Sequence, residues 1–368
     1  MYFLLFLFFI YISFISIYIY ATIKLPYQKL DFSESPSLSV VVAIRNGEES
    51  IQSLINNLIN QDYTGSLEFI LVDDESDDKT KDIIMYNLNL DKRFRYFSSL
   101  QGDKNLSNKK RALDIGIQNA EYDYLLFTDV DCVIPKTWVS TMSRYFQAGY
   151  EYIVGTSIVQ RKSRMNFISI FQRIDFLLLM IICRASTFFG YPLASSGQNQ
   201  GFSKSLYDRV GGFKSINSFI GDDTAFLQHC NSLGCKSIFV DDSLSCIYSR
   251  QESKLSNFIF QRIRWVSDAN KLWKININFF LILILSFIFF ISLPILFSIS
   301  SYMLILQLTI IKSICEFILL FIGSRKLNTR IRLYDFLLWE LFHIPYIIVV
   351  GTLSYFTRYL TWKGRTIS

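Results

Sequence analysis

The chain has 368 residues, of which 51% are hydrophobic and only 18% charged, with a formal net charge of +6 and a mean hydropathy of +0.29. Soluble domains carry about 25% charged residues, and disordered chains combine low hydrophobicity with high net charge. The composition therefore excludes a disordered chain and argues against a purely soluble one.

The apolar excess lies at the two ends. Residues 1–23 carry no charge and are mostly Phe, Leu, Ile and Tyr. A helix crosses a bilayer core with about 20 apolar residues, so this run predicts a transmembrane anchor. It lacks a basic leading segment and exceeds the ~7–15 apolar residues of a signal peptide, so the anchor is expected to stay uncleaved. Ser33 to Ser37 offers a hinge into one water-soluble domain over residues 31–270.

Within that domain the run Leu38 to Ile44 is β-branched and predicts a buried strand. Arg45 and Asn46 follow it, and Ile51, Leu54, Ile55, Leu58 and Ile59 then recur at helical spacing. A second strand, Leu67 to Val72, ends at Asp73-Asp74; residues 79–88 read as a helix and Phe94 to Phe97 as a third strand. Residues 109–119 form another helix, opened by Lys109, Lys110 and Arg111, and Tyr124 to Phe127 is a strand ending at Asp129-Val130-Asp131. Strands alternating with helices imply an α/β fold with a mainly parallel sheet, whose ligands bind at the carboxyl ends of the strands. Arg45-Asn46, Asp73-Asp74 and Asp129-x-Asp131 all stand at such ends.

Each cluster has two readings. Asp129 and Asp131 can share a hard cation such as Mg²⁺ or Mn²⁺, which takes carboxylate oxygens and bridges them to phosphates, or they form a solvated turn. Members of the Asp73–Asp78 run can cap the next helix or hydrogen-bond a base or ribose. Lys109 can meet a diphosphate, whereas Lys110 and Arg111 read equally well as a solvated charge run. Asp223, after Asp222, opens a helical pattern and is either a cap or a general base. Gln261, Arg264 and Trp265 share one helix face by their i, i+3, i+4 spacing, and could anchor at a membrane interface. Residues 166–183 are apolar but contain Arg173 and Asp175, so they predict a helix lying on the membrane surface or packed as core.

Towards the C-terminus, Ile275 to Ile311 carries no charge. It begins two spans, 275–298 and 302–323, split near Pro294 to Ser301. Residues 336–356 form a further span or, given Glu340, His343 and Pro345, a re-entrant or interfacial segment. Lys312 and Glu316 inside a span suggest a transport path or, at i, i+4, a mutual pair. Lys24 and Lys29 after the anchor, and Arg325, Lys326, Arg330 and Arg332 before the last segment, place those ends and the large domain in the cytoplasm by the positive-inside rule. Arg358, Lys363 and Arg365 in the tail conflict with a fourth full crossing. The expected location is a multi-pass protein of the cell (inner) membrane. Six cysteines without a CxxC pair and only two histidines make a zinc site unexpected, and the cysteines read as small buried hydrophobes.

The ordered set Val72-Asp73-Asp74, Asn108-Lys109-Lys110-Arg111-Ala112-Leu113-Asp114, Asp129-x-Asp131, Asp222-Asp223 and Gln261-x-x-Arg264-Trp265 resembles membrane-embedded family 2 glycosyltransferases, which include cellulose, chitin and hyaluronan synthases and ceramide glucosyltransferases. The resemblance covers residues 38–270. It implies a GT-A fold flanked by an N-terminal transmembrane helix and C-terminal transmembrane or interfacial helices. It also implies inverting transfer of a sugar from a nucleotide-diphosphate donor to a lipid or glycan hydroxyl, at the lipid bilayer and with no nucleic-acid partner. By that likeness Arg45, Asp73, Asp74, Lys109 and Asp129 bind the donor, Asp129 and Asp131 the Mg²⁺ or Mn²⁺, and Asp223 is the base. Gln261, Arg264 and Trp265 would hold the diphosphate and acceptor end, and Gly197 and Asn199 belong to a loop that lines the acceptor. The sequence departs from the pattern at Asn108, where Gly is usual, at Asp114, where Asn is frequent, and at Asp222, where Glu is common. Few C-terminal spans point away from a processive polysaccharide synthase, which stands as the alternative. A non-catalytic scaffold or transporter subunit is the reading from a different class.

Overall fold

The structure is a computed structural model and describes residues 2–26, 30, 35–106, 108–160, 165–216, 221–270, 276–297, 302–359, 361–362 and 365–366. Lys29, the first part of the expected hinge (Ser33 and Glu34), residues 298–301 of the expected split, and Lys363 lie outside the described residues.

In chain order the elements are α1 (Tyr2–Lys24), β1 (Leu38–Ile44), α2 (Ile51–Ile59), β2 (Leu67–Asp73), α3 (Thr80–Leu88), β3 (Phe94–Ser98), α4 (Asn108–Gln118), β4 (Tyr124–Phe127), α5 (Trp138–Gln147), β5 (Tyr152–Gly155) and β6 (Ser157–Val159). There follow α6 (Phe167–Ser186), β7 (Gln200–Ser203), α7 (Lys204–Arg209), α8 (Thr224–Ser232), β8 (Ser237–Val240), β9 (Ile247–Ser249), α9 (Leu255–Asn270), α10 (Ile277–Phe297), α11 (Tyr302–Lys326) and α12 (Leu333–Leu353). Contacts divide the chain into two compact units: residues 27–160 with 190–250, and residues 1–26 with 161–189 and 251–368. Residues 161–189 and 251–270, part of the range expected for the soluble domain, thus group with the long apolar helices.

The first unit is built on a seven-stranded sheet in the order β3-β2-β1-β4-β7-β5-β8. Strands β3, β2, β1 and β4 run parallel, and β7 is antiparallel to both β4 and β5. The run Ser39-Val40-Val41-Val42 is buried throughout, because helices cover both faces of a central parallel strand and leave no polar face to alternate with. A smaller parallel pair, β6 with β9, stands apart from the main sheet. One core joins β1, β2, α2 and α5, with Leu54, Leu58, Phe69, Trp138 and Met142 fully enclosed.

Among the described residues of the second unit, three helices are long and apolar enough to cross a membrane: Tyr2–Lys24, Tyr302–Lys326 and Leu333–Phe356. Among the described residues, Leu283–Ile295 is a shorter apolar stretch. The segment expected to be a span or a re-entrant loop is one helix, α12, with Pro345 inside it. Its polar groups turn inward. Lys312 Nζ lies 2.9 Å from Glu316 Oε2 and 3.0 Å from Glu340 Oε1, Tyr11 donates to Glu316, and Ser313 donates to Glu340 at 2.6 Å. Lys312 and Glu316 do pair with each other. The possible ligand atoms of Glu316, Glu340 and His343 lie within 4.8 Å of one another, but the Lys312 ammonium already lies against both carboxylates. Helix α6 packs against α1, α11 and α12 and is buried along most of its length, which favours the packed reading over a surface helix. Its Arg184, 1% exposed, donates to the carbonyls of Thr22 and Leu25, each at 3.2 Å. It thereby satisfies acceptors that the end of α1 leaves open.

Helix α4 approaches the sheet at Gly116, where an added Cβ would stand 2.4 Å from Val41 Cγ1 and 3.2 Å from Val72 Cγ2. In Gly116→Ala, helix propensity gains up to about 1 kcal/mol, while overpacking costs about 1–3 kcal/mol. The net effect is a lower thermal unfolding midpoint; a raised midpoint would show that α4 can shift off the sheet at no cost.

Candidate active site

The polar clusters expected at strand ends meet at the carboxyl edge of the sheet in the first unit. The loops after β1 and β2 interlock. Asn46 N donates to Ser76 Oγ at 3.0 Å, and Asp77 N donates to Asn46 Oδ1 at 3.0 Å. Gly47 N donates to Thr80 Oγ1 at 2.8 Å, and Glu48 N donates to Asp78 Oδ2 at 3.0 Å. Arg45 Nη1 donates to the Asp74 carbonyl at 3.1 Å, and Arg45 Nε is buried with no hydrogen-bond partner among the described residues.

The capping reading applies to two members of the acidic run. Asp78 accepts from the Thr80 amide at 2.9 Å and Asp73 from the Ser76 amide at 3.2 Å, so these two fix the entry to α3. Asp74, which follows β2, is buried.

Helix α4 opens with Asn108 at φ +55°, a left-handed conformation that Asn tolerates better than most residues. This explains how Asn serves where Gly was expected. From the next position, Lys109 Nζ reaches Asp129 Oδ1 at 2.8 Å and Asp222 Oδ2 at 3.2 Å. Burial works against its charge, but Asp129 and Asp222, with Asp223 beyond, outweigh it and hold the ammonium above the usual lysine range. The side chain is 37% exposed, so solvent screens part of this attraction and the group is open to an incoming anion. Asp131 is exposed and Asp129 half-buried.

Of the two readings left open for Lys110 and Arg111, the solvated charge run is not what the structure shows. Lys110 is 8% exposed, because α4 packs against β1 and β2, and Arg111 pairs with Glu75. Asp114 accepts from the Tyr207 hydroxyl at 2.6 Å.

Asp223 is the N-cap of α8: its Oδ1 accepts from the Thr224 amide at 2.5 Å and its Oδ2 from the Gly197 amide at 3.1 Å. Burial first, and then the charge of Asp222, raise its carboxyl above the ordinary Asp value, against the opposing pull of these amides and of Lys109. Each carboxylate oxygen has two acceptor sites, so the cap leaves capacity to take a proton. Gly197 lies close to the lysine, and a Cβ there would stand 2.9 Å from Lys109 Nζ.

Asn199 is a correction. It was expected to line an acceptor loop, but it is 0% exposed. Its Nδ2 donates to the carbonyls of Thr156 at 2.8 Å and Ser245 at 2.9 Å, and its Oδ1 accepts from Trp138 Nε1 at 2.9 Å. An amide bonded on both ends inside the core ties segments together and offers nothing to a ligand. Its Gln198-Asn199-Gln200-Gly201 setting in the sequence carried no signal of this, because its three partners are remote in the chain.

Gln261, Arg264 and Trp265 lie on α9, in the second unit. Arg264 Nε is buried and has no hydrogen-bond partner among the described residues. Trp265 lies against Phe176, with ring centroids 5.8 Å apart. Of the cysteines, Cys132, Cys183, Cys230 and Cys246 are buried as expected, while Cys235 and Cys315 are half-buried, and all six are unbridged.

The profile of the protein family described as Glycosyl transferase family 2 matches residues 39–239, more than half of the chain. Over 131 residues, 36% of this chain and 41% of the relative, the sequence is 26% identical to GalNAc(5)-diNAcBac-PP-undecaprenol beta-1,3-glucosyltransferase of Campylobacter jejuni. Over 262 residues, 70% of this chain and 61% of the relative, it is 24% identical to poly-beta-1,6-N-acetyl-D-glucosamine synthase of Staphylococcus aureus. The chain thus spans less than two thirds of either relative. The fold is similar to that of mannosyltransferase PcManGT from Pyrobaculum calidifontis in complex with GDP-Man and Mn²⁺, with a TM-score of 0.60 at 15% identity, covering 96% of this chain and 97% of that one.

Asn199→Ala tests the structural assignment. It removes the Asn199 partner of the Ser245 carbonyl and of the Trp138 N–H, while the Thr156 carbonyl still accepts from the Ile247 amide, and each buried unsatisfied group costs about 1–3 kcal/mol. Thermal unfolding should show a loss of at least about 2 kcal/mol, with the acceptor KM of the remaining folded protein unchanged. A raised acceptor KM at undiminished stability would return Asn199 to the acceptor site.

Proposed function

This chain belongs to glycosyl transferase family 2, and from that premise we propose that it transfers a sugar, with inversion at the anomeric carbon, from a nucleotide-diphosphate sugar to a hydroxyl of a lipid or glycan acceptor at a membrane. The observation that carries this reading is the Lys109 ammonium between Asp129 and Asp222 at the carboxyl edge of the sheet, with Asp223 next to it.

In this mechanism Asp73 and Asp74 hold the base and ribose side of the donor, beside Arg45. Lys109 exchanges its carboxylate partners for the donor diphosphate. The acceptor oxygen forms a bond to the anomeric carbon as the carbon–oxygen bond to the diphosphate breaks. The electron pair leaves with the diphosphate, and the acceptor proton goes to Asp223. Asp129 and Asp131 fit a divalent cation: they are two carboxylates one residue apart, on accessible side chains at one strand end, and oxygen is the ligand that Mg²⁺ and Mn²⁺ take. Such an ion supplies neutralisation of the leaving charge. Gln261, Arg264 and Trp265 hold the diphosphate and the acceptor end, and the unpartnered Arg264 Nε supports an anionic ligand there. The catalytic domain faces the cytoplasm; Lys24, Arg325 and Lys326 in the last turns of α1 and α11 support that side.

The acceptor is a lipid or lipid-linked glycan that receives one or a few sugars. The named activity of the Campylobacter jejuni relative, on an undecaprenol-linked glycan, supports this. The named activity of the Staphylococcus aureus relative, which matches over a longer stretch, supports a second reading, a processive synthase. A donor screen on the detergent-purified protein, with bacterial total lipid as acceptor, tests both. Nucleoside diphosphate should be released only with Mg²⁺ or Mn²⁺ present, together with a short lipid-linked product. Full activity in excess EDTA contradicts the metal role, a long ladder moves the reading to a polymerase, and turnover of no nucleotide sugar sinks both.

Asp223→Asn separates cap from base. Asn keeps the cap on the Thr224 amide but its NH₂ cannot accept from the Gly197 amide, which costs about 1–3 kcal/mol of stability, while loss of the proton acceptor lowers turnover by the larger factor of roughly 10²–10⁴. The raised carboxyl places the acid limb of turnover above the ordinary Asp range, since the base acts only when ionised. Asp222→Asn removes the like charge and lowers the Asp223 value, so the acid limb moves to lower pH. Wild-type turnover in Asp223→Asn, or a limb moving upward in Asp222→Asn, contradicts the assignment.

A further inference from the structure

Arg262 follows Gln261 on α9. Arg262 is 4% exposed and reaches four partners. Its Nε donates to Asp175 Oδ2 of α6 at 2.7 Å, and its Nη1 donates to Gln261 Oε1 at 2.8 Å. Its guanidinium carbon lies 4.1 Å from the Trp265 ring centroid and 4.8 Å from that of Phe258. The Tyr346 hydroxyl of α12 donates to the same Asp175 oxygen at 3.4 Å, and the Phe258 and Tyr346 rings stack at 5.7 Å with 10° between their planes.

A lone buried guanidinium is costly, and a carboxylate with full hydrogen bonding offsets that cost. Asp175 accepts from Arg262 Nε and the Tyr346 hydroxyl, which accounts for an acidic residue within the mostly apolar α6. The planar fork then works in two directions. One edge is fixed on Asp175, another edge orients the Gln261 carboxamide, and the flat face lies against the indole. Lys could keep the charge pair but, as a point charge on a flexible stem, could not do all three.

We propose that Arg262, anchored by Asp175, is a positioning residue that holds Gln261 and Trp265 in their working orientations. The proposal rests on the reading that these two residues contact the donor diphosphate and the acceptor end. Arg262 itself touches neither substrate; it acts through its neighbours.

The test uses the full-length protein in detergent with bacterial total lipid and the probe donors UDP-glucose, UDP-N-acetylglucosamine and GDP-mannose, whichever is turned over. Arg262→Lys should keep the thermal midpoint and the donor KM near wild type and lower kcat about tenfold, the scale of one lost hydrogen bond to a charged group. In a Trp265→Leu background the same change should cost little more, because residues that act as a unit are not additive. Wild-type kcat in Arg262→Lys, or losses that multiply in the double variant, overturns the proposal. If Arg262→Lys does not fold, Asp175→Asn takes its place with the same expectation of non-additivity and the same overturning result. Unchanged turnover in Gln261→Ala and Trp265→Leu alone would instead remove the reading beneath it, an outcome distinct from the failure of Arg262.

Discussion

Three carboxylates cannot gather at one edge of a sheet unless a cation stands among them, and here that cation is the ammonium of Lys109. At ~4 Å two like charges repel by several kcal/mol at the effective dielectric of a protein surface. Asp129 arrives at the end of β4, while Asp222 and Asp223 arrive at the start of α8, 93 residues further on by the numbering of Asp129 and Asp222. Lys109 touches the first two, and Asp222 still raises the carboxyl of Asp223. The arrangement is therefore balanced but not saturated. An incoming anion can compete for the lysine, whose side chain is 37% exposed.

The surroundings of this centre are rigid by construction. Reciprocal bonds between Asn46 and the Ser76–Asp77 turn, and between Glu48 and Asp78 to Lys79, join two strand-end loops. At the carboxyl ends of β4 and β5, Asn199 fastens the end of β5, the turn before β9 and the Trp138 indole. Loops held at both ends present their charges without paying ordering entropy when a ligand arrives.

The second unit solves a different problem with the same chemistry. Charged side chains among apolar helices are tolerated when paired. Lys312 with Glu316 and Glu340, and Arg262 with Asp175, do this within the unit. In the first case one ammonium meets two carboxylates, Glu316 on its own helix and Glu340 on α12. In the second the paired guanidinium also grips two members of the Gln-x-x-Arg-Trp element.

Much of this was legible in the sequence, for a local reason. Strands β1 to β4 were readable because a buried parallel strand needs a short β-branched or apolar run, and Arg45, Asp73, Asp74, Asp129 and Asp131 were readable because they terminate such runs. The long apolar helices and the Lys312–Glu316 pair follow from composition and from i, i+4 spacing, which are also local. The tertiary structure decided the rest. It made Asp223 visibly a cap that retains proton-accepting capacity, buried Lys110 against β1 and β2, and withdrew Asn199 from any ligand. It grouped residues 161–189 and 251–270 with the long helices, and it gave Arg262 its neighbours. A buried amide or guanidinium is defined by partners that satisfy it, and those of Asn199 and Arg262 lie up to 61 and 87 residues away, a distance over which spacing and periodicity carry no information.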